Sequence, residues 1–187
     1  MNKIAKKLKN KRLQQGALTL ASTQVKITLE EETHSATDVQ LYQMVEANYL
    51  IEEFMLLANI SVAEKVYERF PSISILRRHT PPKLGELETL KEILSLYNYN
   101  LRYESSKALA DSLDQVQKQG DPFFNKLIRI LTTRCMNEAT YFCSADFDPQ
   151  EFHHYGLAAD FYTHFTSPIR RYADILVHRL LCAAIDL

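Results

Sequence analysis

The sequence predicts an α/β fold of the α+β kind, mostly helical, with a few short strands. Three observations carry that reading. Apolar residues recur at spacings of three and four over most of the chain, the period of a helix with one buried face. Only short stretches alternate in the manner of a strand. Glycine is scarce, with four in 187 residues, and tryptophan is absent, which argues against a turn-rich β-sandwich. Hydrophobic residues make up 46% of the chain, enough for a sizeable core and too many for a disordered segment. The length suits one domain or one large piece of one.

Composition also narrows function. The net charge of -1 gives no global steering toward nucleic acid, so any polyanion site must be local. Cys135, Cys143 and Cys182 show neither a disulfide framework nor zinc-ligand spacing, which predicts reduced thiols and an intracellular setting. The basic start, residues 1–12, lacks an apolar centre, and no apolar run reaches membrane-spanning length. Neither a signal peptide nor a membrane partner is expected.

The first predicted element is a helix over Met1 to Gln15, ended by Gly16. It carries Lys3, Lys6, Lys7, Lys9, Lys11 and Arg12 without an acid, around a thin stripe of Ile4, Ala5 and Leu8. Such a helix either faces nucleic acid or is a solvated surface. Ala17 to Leu20 and Val25 to Leu29 read as two short strands, and Glu30 to Glu32 as a solvated turn. A long helix is predicted from Asp38 to Phe70, with Leu41, Met44, Val45, Asn48, Ile51 and Met55 at helical spacing. Glu52, Leu56 and Asn59 share one of its faces. A carboxylate and an amide on an apolar face need partners, either in a neighbouring loop or in a polar channel.

Pro71 stops this helix, Ser72 to His79 reads as a strand, and Thr80-Pro81-Pro82 as a rigid break. Helices follow over Leu84 to Tyr97, then from Ser105 or Ser106 to before Gly120. The next is expected to begin at Asp121-Pro122 and to carry residues from Phe123 as far as Phe142, with Arg134 among apolar neighbours and in need of a partner. Asp146 and Asp148 read as a capped turn rather than a metal pair. In His153-His154-Tyr155-Gly156 the glycine permits close backbone approach, and His154 and Tyr155 are candidates to bond or stack with a nucleotide.

In the last helix Ser167 is the predicted N-cap and Pro168 the first helical residue, which puts Arg170 and Arg171 in the first turn. Cations are unfavourable at that end unless an anion docks there, and phosphate is the usual occupant. Asp174 lies four residues beyond Arg170 and is expected to hold its guanidinium. Spacing leaves open both a phosphate site and two solvent-facing arginines.

The motifs are more specific than the spacing. His153-His154-Tyr155-Gly156-Leu157-Ala158, Tyr162 through Asp174 and Val177-His178-Arg179-Leu180-Leu181 together resemble the signature of the RNase II/RNase R family. Glu52 through Ser61, Arg134-Cys135-Met136 with Ala139 and Tyr141, and Gly16 through Leu20 are similar to further blocks of that family, in the same order. Glu53-Phe54-Met55-Leu56-Leu57 and Thr163-His164-Phe165-Thr166 are most similar to its branch associated with the eukaryotic exosome.

The resemblance implies a processive 3′-to-5′ exoribonuclease that hydrolyses single-stranded RNA to nucleoside 5′-monophosphates with two magnesium ions. It implies the core subunits of the RNA exosome as partners, and the nucleus and nucleolus as location, with the cytoplasm as a further compartment. By motif match Arg170 is the catalytic cation on the scissile phosphate. Glu52, with Glu53 as the neighbouring alternative, would contact the terminal nucleotide. Arg171, Ser167, Thr166, Tyr155 and His154 would complete the substrate-binding set. The family's cluster of metal-binding aspartates, its aromatic clamp and its flanking OB-fold domains have no counterpart in this chain. Residues 1–187 are therefore expected to be the C-terminal part of a catalytic domain, holding no metal ligand and inactive alone. A non-catalytic RNA-binding or scaffolding paralogue is the alternative.

Overall fold

The structure, a computed structural model, describes residues 1–20, 25–29, 36–41, 44–121 and 123–187, with the backbone alone for 25–29 and 36–41. Among these are helices α1 (Asn2–Gln14), α2 (Glu46–Arg69), α3 (Leu84–Ser95), α4 (Ser106–Gln115), α5 (Phe124–Arg134) and α6 (Tyr172–Ala184). Strands β1 (Val25–Leu29) and β2 (Ala36–Leu41) form one antiparallel pair, and β3 (Ile75–Arg78) and β4 (Thr140–Cys143) another. The fold is the predicted helix-rich α+β class.

Helix α1 ends before Gly16 as expected, and the first departure follows it. The φ of Gly16 is +102°, and a Cβ there would meet the Lys107 amide nitrogen at 2.9 Å, so only glycine fits. The chain turns off α1 and runs inward. Ala17 and Leu18 are buried, and the Leu18 N–H donates to the Gly156 carbonyl. The strand expected over Ala17–Leu20 is absent, because this segment lies beneath the 155–157 loop and not beside a strand.

The helix expected from Asp38 begins at Glu46. Residues 36–41 pair instead with β1, with Ile27 opposite Val39 and Thr28 opposite Asp38. A partner strand supplies the backbone bonds that a helix would have supplied, and the 3.6-residue pattern loses to it. Met44 and Val45, expected on the apolar face, are exposed. The Glu30–Glu32 run and Pro122 lie outside the described residues.

At the other end of the chain's middle, Asp121 Oδ1 accepts from the Phe123 and Phe124 N–H groups, capping α5 as its sequence suggests. That helix stops at Arg134, where the Cys135 N–H is shared among the carbonyls of Leu131, Thr132 and Thr133. Phe142 belongs to β4 and faces Leu76 across the pair. Arg134 is exposed, so the partner that burial would have required is not needed.

Three apolar clusters hold the described residues together. Leu87, Leu90 and Leu94 of α3, Leu109 and Leu113 of α4, and Phe124 and Ile128 of α5 meet around Leu18, Leu101 and Val116. A second packs Ala63 of α2 against Leu76, Phe142 and Phe152, and a third packs Val62 and Val66 of α2 against Val177 of α6. Helix α1 rests on α2 through ion pairs: Lys6 with Glu46 at 2.6 Å and Arg12 with Glu53 at 2.5 Å. Lys9 lies over the Tyr49 ring. That leaves Lys3, Lys7 and Lys11 as the exposed face of α1.

Leu109→Ala removes a fully buried side chain from the three-helix contact. It should destabilise the fold by about 3 kcal/mol, read as a lower urea midpoint at unchanged slope.

Candidate functional site

The segment 162–165 is fixed from three sides before any charge enters the site. The Arg77 N–H donates to the Tyr162 carbonyl at 2.7 Å, and the Thr163 hydroxyl to the Ile75 carbonyl at 2.7 Å. Both bonds hold the segment against β3. On α2, Asn59 is buried; its Nδ2 donates to the Tyr162 hydroxyl at 3.1 Å, and its Oδ1 accepts from the Phe165 N–H at 2.9 Å. The partners that a buried amide requires are therefore the motif segment itself. On α6, the His178 ring stacks on Phe165, and its Nε2 lies 2.8 Å from the Phe165 carbonyl.

The arginine pair that follows is arranged differently from expectation. Ser167 is not the N-cap and Pro168 is not the first helical residue, since α6 starts at Tyr172. The Ser167 N–H donates to Asp174 Oδ1 at 2.7 Å, and Pro168–Arg170 form a turn closed by the Arg170 N–H on the Ser167 carbonyl. The Asp174 carboxylate caps this backbone where a serine hydroxyl was expected to. It pairs with Arg171, not Arg170: Arg171 Nε donates to Oδ2 at 2.6 Å and Nη2 to Oδ1 at 2.7 Å. Arg171 is in extended backbone at φ -132°, with its side chain on the helix start. Arg170 is exposed and makes no side-chain hydrogen bond or ion pair among the described residues.

Asp174 is completely buried. Burial alone would raise its pKa, but the Arg171 fork and the Ser167 amide outweigh it and hold the carboxyl below its ordinary value. The same pairing raises Arg171.

The remaining candidates are dispersed. Tyr155 is buried within the three-helix core, and His154 is enclosed between the His79 and Tyr162 rings at 5.1 and 5.2 Å. Burial, followed by His79 and Arg77, lowers the His154 pKa to about 3, so the ring is neutral. The close approach at Gly156 is to this protein's own histidine: the Gly156 N–H donates to His79 Nδ1 at 3.1 Å. His154 Nδ1, the Tyr155 hydroxyl and the Thr166 hydroxyl are buried without a partner among the described residues. Glu53 is 3% exposed and gripped by Arg12. Glu52 is half-exposed, 3.6 Å from the same guanidinium. Glu53, with Leu157–Phe161, lines a cavity of about 480 Å³ between α1, α2 and the loop.

Tyr141 and His164 stand in the family motifs and Arg77 on the predicted strand, but the sequence assigned none of the three a role in the site. Arg77 and Tyr141 are directly opposed in the β3–β4 register, and the Arg77 guanidinium lies 4.8 Å over the Tyr141 ring. The Tyr141 hydroxyl is hydrogen-bonded to His164 Nδ1. Alternation along the predicted strand could have flagged Arg77; its partner depended on a pairing the sequence does not display.

Magnesium does not fit the described residues here. Both oxygens of Asp174 are taken by Arg171 and Ser167, and no group of three or more His, Cys, Asp or Glu among the described residues could hold a metal. No described helix is long and apolar enough to cross a membrane.

Arg171→Ala should cost about 3 kcal/mol at pH 7, since it leaves a buried carboxylate short of its cation. In the wild type the pair's stabilisation is complete above the ordinary carboxylate pKa and is lost only as pH falls through the lowered folded value. The orphaned carboxylate of the variant takes up a proton at higher pH, so the deficit should narrow between pH 7 and pH 5 in urea titrations.

An RNB domain model matches residues 1–186. The chain is 54% identical over 187 residues to the exosome complex exonuclease RRP44 homolog A of Arabidopsis thaliana, covering all of this chain and 20% of that protein. Among solved structures, Mycoplasma genitalium RNase R in complex with ribose-methylated single-stranded RNA superposes with a TM-score of 0.81 at 25% identity, covering 97% of this chain and 27% of that one. Yeast Ssd1, described as a pseudonuclease, gives 0.70 at 31% identity, over 77% of this chain and 17% of that one. With the domain model spanning all but the last residue, the chain belongs to the RNB domain family.

Proposed function

We propose that residues 1–187 are the C-terminal part of the catalytic domain of a processive 3′-to-5′ exoribonuclease acting on single-stranded RNA to release nucleoside 5′-monophosphates. One observation carries the reading. Arg170 is an exposed cation with no described partner, on a backbone fixed to α2, β3 and α6, beside an Arg171 that Asp174 has already neutralised. A cation so placed is free for a phosphate, and it favours cleavage by stabilising charge that grows at the scissile phosphate in the transition state. The exonuclease name of the RRP44 homolog and the RNA-bound RNase R support this substrate class.

Glu52, the exposed member of its pair, contacts the terminal nucleotide. Arg171 holds the turn that presents Arg170, with Ser167 and Thr166 beside it. Two magnesium ions bind to carboxylates outside this chain. The partners are single-stranded RNA and the exosome core, and the protein works in the nucleus and nucleolus, and also in the cytoplasm. Likeness to a pseudonuclease favours one second reading, a non-catalytic RNA-binding or scaffolding paralogue.

In the full-length polypeptide, Arg170→Ala should lower kcat by about 10²–10³ and leave RNA affinity within a few-fold. Arg170→Lys should also be slow, because an ammonium cannot reproduce the planar fork. Unchanged turnover in both would remove the role given to Arg170. Absence of cleavage in the wild-type full-length protein, with RNA binding retained, would favour the paralogue. The 187-residue chain alone should release no mononucleotides with magnesium; release would show that its own residues suffice for the metal.

A further inference from the structure

Arg77 is unusual for a strand residue. It is half-buried, yet it makes no ion pair among the described residues. A guanidinium withdrawn from water normally keeps a carboxylate. Its one described side-chain contact is the face of Tyr141, worth little beside a full counter-charge. Tyr141 is itself 40% exposed. It is held in place by the Arg77 guanidinium, by the hydrogen bond to His164 Nδ1, and by the edge-on His164 ring at 5.5 Å. An exposed aromatic ring fixed by two neighbours has lost its rotamer freedom before any ligand arrives.

The charges around this ring do not balance. Arg77, Arg170 and Arg171 all bear on His164, and Asp174 is the acid that opposes them there. Asp174 is spent on Arg171. Burial first, and then Arg171 and Arg77, hold the His164 pKa down at about 4, so the histidine adds no cation of its own at neutral pH. One guanidinium without an acid, Arg77, lies on the rigid, partly exposed ring, and the Arg170 charge bears on the His164 that holds it. An unpaired cation on a fixed aromatic is the composition of a site for one nucleotide of a single strand, because the base stacks on the ring and the phosphate meets the cation.

We propose that Arg77, Tyr141 and His164 form a nucleotide subsite next to Arg170, in which Tyr141 stacks a base of single-stranded RNA, Arg77 binds its phosphate, and His164 orients the tyrosine. The proposal rests on RNA passing Arg170. It adds a binding step that Arg170 does not supply: Arg170 acts on turnover, whereas this subsite acts on hold.

The test uses the full-length protein in EDTA, so that RNA is bound but not cut. Affinity is read by fluorescence anisotropy for a short single-stranded RNA and for the same strand with abasic nucleotides replacing successive bases. Tyr141→Ala should weaken binding of the intact RNA about tenfold or more and leave unchanged the affinity for the strand that is abasic at one particular position. Tyr141→Phe should restore most of the affinity. Arg77→Met should reduce the slope of log affinity against log salt by about 0.7, the share of one single-strand phosphate. With magnesium, both losses should enter KM and spare kcat at saturating RNA.

Equal losses for intact and abasic strands at every position would mean that Tyr141 only supports the fold, and would overturn the subsite. Wild-type affinity in Tyr141→Ala would do the same. Should Arg77→Met fail to fold, the Tyr141→Phe and abasic comparison decides alone. Binding of poly-glutamate that competes with RNA and depends on Tyr141 would assign the surface to an acidic protein segment. A base-selective loss in Tyr141→Ala, with turnover unaffected by Arg170→Ala, would keep the subsite and remove the proposed catalytic cation.

Discussion

One buried carboxylate organises the functional end of this chain. Asp174 faces no water, so its charge must be met by protein, and two groups meet it: the Arg171 fork and the Ser167 amide. The amide bond pulls residue 167 back against the helix start, and the ion pair draws Arg171 inward. Between these two attachments the chain has only Pro168, Ile169 and Arg170, and it must bulge. Ile169 at 95% exposed and Arg170 lie on that bulge. Exposure of Arg170 therefore follows from satisfying Asp174.

The carboxylate could not do this on a loose segment. Residues 162–165 are tied to β3 by two backbone-directed bonds and to α2 by both ends of the Asn59 amide. Asn59 lies in the middle of a 24-residue helix, so the position of the arginines is set by the most extended rigid element described. The His178 contact to Phe165 closes the arrangement from α6. Strand β3 serves twice, through its backbone to the motif segment and through the Arg77 side chain to Tyr141. A displacement of β3 would move both the arginine turn and the aromatic ring together.

Much of this was legible in the sequence. Period and composition gave the fold class, and the expectation that Asn59 needs a polar partner was right because burial of an amide leaves no alternative, whereas Glu52, placed on the same apolar face, is exposed and Glu53 is the buried acid. What failed were features decided by distant residues. Residues 38–41 look helical until β1 is beside them. The Ala17–Leu20 stretch looks like a strand until Gly16 turns it inward. The pairing of Arg170 with Asp174 followed from an i,i+4 rule that holds only inside a helix, and the helix does not yet exist at residue 170. Arg77 and Tyr141 are 64 residues apart in a chain whose short strands say nothing of their register.

Three doublets show where local reading stops. Glu52-Glu53, Arg170-Arg171 and His153-His154 each pair two identical side chains whose directions diverge because adjacent residues on any regular backbone point apart. In each, one member is taken inward: Glu53 by Arg12, Arg171 by Asp174, His154 by the rings of His79 and Tyr162. The other stays at the surface: Glu52 half-exposed, Arg170 without a described partner, His153 on the exposed Asp160. A sequence shows that a doublet is present and cannot say which member is which, since identity and spacing are the same for both. The inner member's partner settles it in every case, and that partner lies elsewhere in the chain for Glu53 and His154 and across a turn for Arg171. The two members then differ in use. The inner one is enclosed by its partners and cannot reach an outside anion, so chemistry directed at such an anion falls to the outer one, and of the two arginines only Arg170 retains an uncommitted charge.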